Sequence, residues 1–110
     1  MSLQLLSNDP KGLVLVLAET LAGAALPLSA GPFKVDVQDP QNTVTVTAGS
    51  DDQTTPTKFV PNGSGAVGTV TVTVTDLKFN LVGTASFDVV APAPPPQVPD
   101  TLNVSFAPAP

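Results

Sequence analysis

The chain has 110 residues, of which 42% are hydrophobic and only 12% are charged, and its net charge at pH 7 is −5. This length fits one domain, and a high valine and leucine content with little charge argues against a disordered chain. Its only basic residues are four lysines spread singly along the sequence. The clustered basic surface that nucleic acid requires is therefore missing, and we expect no nucleic-acid partner.

The first quarter of the chain is predicted to hold two strands. Residues 3–7 form the first, and a turn signal follows in Asn-Asp-Pro at 8–10. The continuous apolar run over 13–18 is typical of a central strand. Glu19 interrupts the apolar sequence at this point, so the segment is not a convincing signal peptide. The apolar run is also too short for a membrane span. The alanine-rich residues 20–25 are predicted to form a loop.

The middle of the chain shows the two-residue period of half-buried strands. Residues 67–76 read VGTVTVTVTD, which places Val70, Val72 and Val74 on one face and the threonines on the other. Further predicted strands cover 33–39, 43–47, 58–60 and 85–91. Turn signals rich in Pro, Gly, Asn and Asp separate these runs. Seven short strands with such punctuation predict an all-β sandwich of about seven antiparallel strands.

The composition changes after residue 91. We expect residues 1–91 to form the sandwich and the proline-rich residues 92–100 to be a stiff polyproline II linker. Residues 101–110 are predicted to be an extra C-terminal strand or arm. Strand alternation resumes over 101–106, with Leu102, Val104 and Phe106 on one side as the predicted interaction residues.

Several segments together resemble a bacterial immunoglobulin-like repeat of the invasin and intimin kind. They are LVLVLAETLAGAALP, FKVDVQDPQNTVTVT, FVPNGSGAVGTVTVTVTD and ASFDVV, in an order that covers about residues 3–91. The resemblance implies an immunoglobulin-like sandwich that serves as a module of cell-surface adhesins or as an accessory domain of phage virions. It transfers no binding residue. The tryptophan common in such sandwiches is absent, so Phe33, Phe59, Phe79 and Phe87 are expected to fill the core.

Catalysis is disfavoured because the chain has neither histidine nor cysteine. The usual general base, thiol nucleophile and soft metal ligands are therefore missing. No Ser-x-x-Lys spacing offers a lysine base, and a small sandwich has little room for a cleft between paired carboxylates. We expect no enzyme activity and no cofactor.

The alternative function is a calcium- or carbohydrate-binding β-sandwich. Asp51 and Asp52 are the weak metal candidates, and Asp36 and Asp39 could lie at the same end of the domain. Acidic turn residues are more often solvated turn formers, and the chain has no Trp or Tyr to form a sugar platform. A shift in melting temperature with calcium or glycans separates this alternative from a purely structural role.

Sheet edges and the arm remain as the predicted means of binding. Exposed Val/Thr strands invite pairing with another chain, and this sequence carries few of the charges and lysines that guard such edges. We expect a protein partner or self-association, through a sheet edge or through docking of the arm in the same or a neighbouring subunit. The expected location is extracellular, at a cell surface or in a virion.

Overall fold

A computed structural model describes residues 3–93 and 99–109, and within them the chain is all-β, with three sheets and no helix. The all-β prediction is confirmed. Residues 94–98, which belong to the predicted polyproline linker, lie outside the described residues. The strands are β1 (Leu3–Leu6), β2 (Leu13–Val14), β3 (Glu19–Leu21), β4 (Ala24–Leu26), β5 (Phe33–Gln38), β6 (Val44–Thr47), β7 (Lys58–Pro61), β8 (Gly68–Asp76) and β9 (Leu81–Val90).

The largest sheet has four strands in the order β1-β9-β8-β5. The long strands β8 and β9 form an antiparallel hairpin, and β5 pairs antiparallel with the other side of β8. β1 pairs parallel with β9, from Leu3 opposite Phe87 to Leu6 opposite Val90. The prediction that all strands are antiparallel is therefore wrong at this pair. Because β1 and β9 are the first and last strands in the sequence, no hairpin joins them and fixes their relative direction.

A second sheet has three strands in the order β2-β7-β6, all antiparallel. It shares one hydrophobic core with the four-stranded sheet. The buried members are Leu5, Val70, Val72, Phe87 and Val89 from the large sheet and Val44 and Phe59 from the small one. The rings of Phe59 and Phe87 meet edge to face across the core, with centroids 5.6 Å apart. The two sheets thus pack through their apolar faces.

The predicted alternation in β8 is confirmed. Val70 and Val72 are buried in the core. The threonines lie on the outer face, where their hydroxyls contact polar side chains of β9. These contacts are Thr69 Oγ1 to Asp88 Oδ1 at 2.7 Å, Thr71 Oγ1 to Ser86 Oγ at 3.2 Å, and Thr73 Oγ1 to Thr84 Oγ1 at 3.3 Å. Period-two patterning therefore identified both faces of this strand correctly.

Two predictions near the start of the chain are wrong. The apolar run over 13–18 is not a central strand: only Leu13–Val14 is strand, at the edge of the small sheet. Residues 20–25 are not a loop but most of the β3–β4 hairpin, which forms a separate two-stranded sheet. Its turn is Ala22-Gly23, with φ of 51° and 83°. Positive φ at both central residues suits the twist of a tight hairpin.

The expected phenylalanine core is half correct. Phe59 and Phe87 are buried, but Phe79 is 57% exposed in the β8–β9 turn and Phe33 is half-buried at the start of β5. Phe79 lies between β8 and β9, and the sequence pattern did not predict that these two strands form a hairpin with a short turn. β9 begins at Leu81 rather than at Ala85, so Leu77 to Asn80 form the turn. Valine and leucine supply the rest of the core.

The predicted extra terminal strand is not formed. Residues 99–109 have no strand and no bridge partner. A β-strand satisfies its backbone hydrogen bonds through a neighbour, so a segment without a neighbour has no ladder to join. The alternating pattern over 101–106 is compatible with a strand, but within the described residues of this single chain the segment pairs with no other strand.

Candidate interaction surface

The arm, defined here as residues 101–106, presents its apolar side chains to solvent. Leu102 is 88% exposed, Val104 78% and Phe106 99%. At its start the Thr101 hydroxyl donates to the carboxylate of the neighbouring Asp100 at 3.0 Å. The structure therefore brings none of the three predicted interaction residues onto the domain. All three are free to contact another surface.

A groove of 490 Å³ opens between the four-stranded sheet and the segment that follows β2, at the β8–β9 turn end of the molecule. One wall is the segment 15–20, which follows β2, and the other is the first half of β9. Val72 and Val74 of β8 lie at its floor. The volume falls within the range of about 300–1,000 Å³ that is usual for ligand pockets. Apolar residues line most of it.

Small side chains on β9 keep this groove open. The register pairs Val72 with Ala85 and Val74 with Gly83, so Ala85 and Gly83 face the same side as the two valines. A Cβ atom added at Gly83 would meet no atom within 4 Å. The next inward positions along β9 are Phe87 and Val89, which are buried. The core thus ends where the inward residues of β9 become small.

Among the described residues, the same half of β9 is an unpaired sheet edge. β1 covers β9 only from Phe87 to Val90, and no strand among the described residues pairs with Leu81–Ser86 on that side. The six residues read LVGTAS and include no charge and no proline. Natural sheet edges are commonly protected by such residues. An unguarded edge therefore runs beside the apolar groove.

A polar network forms the rim of the groove. Ser29 donates its hydroxyl to Asp76 Oδ2 at 2.8 Å, and its backbone N–H donates to Glu19 Oε1 at 2.7 Å. Burial raises the pKa of Asp76, but hydrogen bonds to its carboxylate, including those from Ser29 and from the backbone of Lys78, outweigh this effect and lower it. These bonds tie the β3–β4 hairpin region to the end of β8. The rim is therefore charged while the groove floor is apolar.

The two weak metal candidates lie in the loop before β7. Asp52 Oδ1 accepts hydrogen bonds from the Thr54 backbone at 3.1 Å, the Thr54 hydroxyl at 2.8 Å and the Ser50 hydroxyl at 2.8 Å. These bonds lower the pKa of Asp52. Asp51 contributes its backbone carbonyl, which accepts from the N–H of Phe33 at 2.9 Å. Both residues thus have roles in shaping the loop.

Asp39 does not join that loop, contrary to the expectation that it could lie at the same end. Asp51 touches the start of β5, whereas Asp39 follows its last residue. The Asp39 carboxylate accepts from the backbone N–H groups of Thr43 and Val44 and from the Thr43 hydroxyl, at 2.8–3.0 Å. Asp36 lies within β5, between these two positions, and its Oδ2 is 3.8 Å from Nζ of Lys34. Across residues 3–93 and 99–109, no three His, Cys, Asp or Glu side chains are grouped to hold a metal ion.

Sequence reasoning missed the groove and the free edge of β9. A signal was present in LVGTAS, where two small residues take the inward positions directly before Phe87 and Val89. The pattern predicted a strand there only from Ala85, because Gly83 lowers strand propensity and neither Gly83 nor Thr84 adds an apolar side chain to the run. The missing neighbour of the edge is a property of topology. No local pattern encodes it.

Comparison with protein-family models, with curated protein sequences and with solved structures finds no match to this chain. The resemblance to bacterial immunoglobulin-like repeats therefore stays a prediction. In the part of the chain that the structure describes, no helix is long and apolar enough to cross a membrane.

Proposed function

We propose that this chain is a non-catalytic interaction module with an immunoglobulin-like fold, which acts in an extracellular assembly at a cell surface or on a virion. The sheet orders support the fold. When β2, β5, β6, β7, β8 and β9 are read in chain order as strands B to G, the sheets become B-E-D and C-F-G, as in immunoglobulin-like domains. The β3–β4 hairpin is then an insertion between strands B and C.

The observation that carries the function is the exposed alternating arm beside a domain with an unguarded edge. Leu102, Val104 and Phe106 place a row of apolar side chains in water, which costs free energy that burial against a partner recovers. Burying a large apolar side chain is worth about 1.5–3 kcal/mol. Strand addition to a sheet edge is a common way for an extended segment to bind. The arm is thus the part of the chain best suited to hold a protein partner.

Absolute mass by light scattering on a sizing column tests this role. We expect the full chain to form a discrete oligomer, and a chain ending at Ala91 to be a monomer. A full-length control replaces Thr101, Asn103 and Ser105, on the polar side of the arm, with glutamine; it keeps the oligomer. Replacing Leu102, Val104 and Phe106 with glutamine abolishes it. A full chain that is monomeric at every concentration would contradict assembly through the arm.

The size of the oligomer separates the two settings. A closed ring or trimer favours the virion role, because a closed symmetric assembly buries every copy of the interface and leaves none free to extend a fibre. An open series of masses that grows with concentration favours a fibre at a cell surface.

A further inference from the structure

The groove has space for side chains that no described strand of its own chain supplies. At Gly83 and Ala85 the inner face of β9 recedes, which leaves Val72 and Val74 of β8 at the floor. The space beside Gly83 is empty, since a Cβ atom added there would have no atom within 4 Å. Side chains that entered from the edge of the sheet could therefore pack on the two valines without displacing any atom near Gly83.

The backbone beside the groove offers hydrogen bonds for an entering strand. In a β-strand, alternate residues direct their N–H and C=O groups to opposite neighbours. β8 takes one side of β9, and the other side over Leu81–Ser86 has no partner strand in the described part of the chain. The same edge is already used further along, where β1 pairs with Phe87–Val90. An added strand would extend this pairing toward the β8–β9 turn.

The arm matches this site in length and in pattern. It has six residues, as does the free edge, and each spans about 20 Å in an extended strand at roughly 3.3 Å per residue. Its apolar side chains recur at every second position, so one face of the arm would enter the groove while Thr101, Asn103 and Ser105 faced solvent. All three apolar side chains are exposed in the single chain.

The connection between the domain and the arm favours a second copy as the recipient. β9 runs from the groove toward Val90, so the chain leaves the domain at the end farthest from the groove. Residues 91–100, of which 94–98 lie outside the described residues, contain five prolines. This composition predicts a polyproline II segment, which at roughly 3.1 Å per residue would extend for about 31 Å. A return to the groove of the same copy requires a reversal within this segment and a path around β1. An arm that continues outward reaches a neighbouring copy without either.

We infer that residues 101–106 of one copy add as a strand to the free edge Leu81–Ser86 of the next copy, with Leu102, Val104 and Phe106 inserted into its groove. This inference rests on the proposed function and specifies its partner and its binding site. The contact joins two different surfaces and is heterologous. Repetition of it gives a closed ring or an open fibre, according to the rotation between copies.

Disulfide trapping in the full chain tests this contact, because the natural sequence has no cysteine. Ala85→Cys places a thiol in the groove, and Leu102→Cys, Val104→Cys or Phe106→Cys places one on the inserted face of the arm. Each arm variant is mixed with the groove variant under mild oxidation. The matched control pairs combine Thr84→Cys, on the outer face of β9, with the same arm variants, and Asn103→Cys, on the polar side of the arm, with Ala85→Cys, because each of these pairs puts its two thiols on opposite faces of the extended sheet. Unfolding midpoints confirm that each variant folds.

We expect at least one arm variant to form a linked dimer with Ala85→Cys about tenfold faster or more than either control pair, since docking raises the effective thiol concentration toward the millimolar range. A disulfide requires Cα atoms within about 7 Å, so the fastest pair also reports the register. Equal rates for all pairs would overturn the inference. A chain that carries both Ala85→Cys and the arm cysteine of the fastest pair would also overturn it if it cross-linked only within one chain at all concentrations.

The two proposals fail separately. If removal of the arm dissolves the oligomer but no groove pair is trapped, the arm binds elsewhere and only the groove assignment falls. If removal of the arm changes nothing, the arm is not an assembly element and both fall.

Discussion

The two halves of β9 differ sharply although one continuous strand forms both. From Phe87 to Val90 the strand is covered by β1, and its inward residues pack against Phe59 of the other sheet. From Leu81 to Ser86 it has no outer neighbour among the described residues, and its inward residues Gly83 and Ala85 are small and exposed. The difference shows that the strand alone does not determine burial. The neighbour across the edge and the size of the inward residues decide it.

The largest effect should come from breaking the packed half. Phe59→Ala removes the ring that meets Phe87 and leaves a cavity, so we expect a loss of about 3–5 kcal/mol in the free energy of unfolding. Chemical denaturation measures it. Phe79→Ala, in the exposed turn beyond the groove, should change stability by less than about 0.5 kcal/mol. Equal losses for the two variants would contradict the placement of the core.

A smaller effect should come from Asp39, which fixes the turn after β5. Asp39→Asn replaces a charged acceptor of three donors with a neutral amide, and we expect a total loss of about 1.5–3 kcal/mol in the free energy of unfolding, measured by chemical denaturation. The control is Asp36→Asn, whose exposed ion pair with Lys34 is worth about 0–1 kcal/mol. If both variants unfold at the same denaturant concentration, the Asp39 turn is not stabilising.

The pH dependence of stability gives an independent check on the same carboxylate. Burial raises the pKa of Asp39, but the hydrogen bonds from Thr43 and Val44 outweigh it and hold the pKa below its usual value. The unfolded chain then binds protons more readily than the folded one near pH 4. The contribution is full above the unfolded-state pKa of about 3.9 and is lost as the pH falls through the lower folded-state value. Asp39→Asn should reduce this acid sensitivity, and a wild-type slope in the variant would contradict the assignment.

The smallest effect should come from the open half. Gly83→Ala adds a methyl group into free space and removes the entropy cost of glycine in a strand, so we expect a gain of up to about 0.5–1 kcal/mol. The measurement uses the chain ending at Ala91, in which no arm can occupy the groove. Gly12→Ala is the contrasting variant: Gly12 has φ of +74°, and its Cβ would collide with the Phe59 carbonyl. It should destabilise, and a loss at Gly83 would mean that the groove is closed.

Local patterns predicted most strands but not their neighbours. The alternation of valine and threonine identified β8 and both of its faces, and the same kind of alternation located β5 and β6, because side-chain period is a local property of a strand. The parallel pairing of Leu3–Leu6 with β9 joins the first and last strands of the sequence, and no local pattern predicts a pairing over that separation. The tight turn at Ala22-Gly23 was missed because alanine rarely adopts positive φ.

The candidate surface divides in the same way. Leu102, Val104 and Phe106 were identified from their alternation, which any extended segment reveals. The groove was not, because it depends on where β1 stops along β9 and on which sheet faces Gly83 and Ala85. Those are long-range facts of topology and packing.

Amide hydrogen exchange in the full chain tests the central comparison most directly. The wild-type chain is compared with the full-length variant in which Leu102, Val104 and Phe106 are replaced with glutamine. We predict that the wild type protects the outward amides of Leu81–Ser86, that the variant exchanges them rapidly, and that Phe87–Val90 remain protected in both. Rapid exchange over Leu81–Ser86 in the assembled wild-type chain would contradict the proposal that the arm completes this edge.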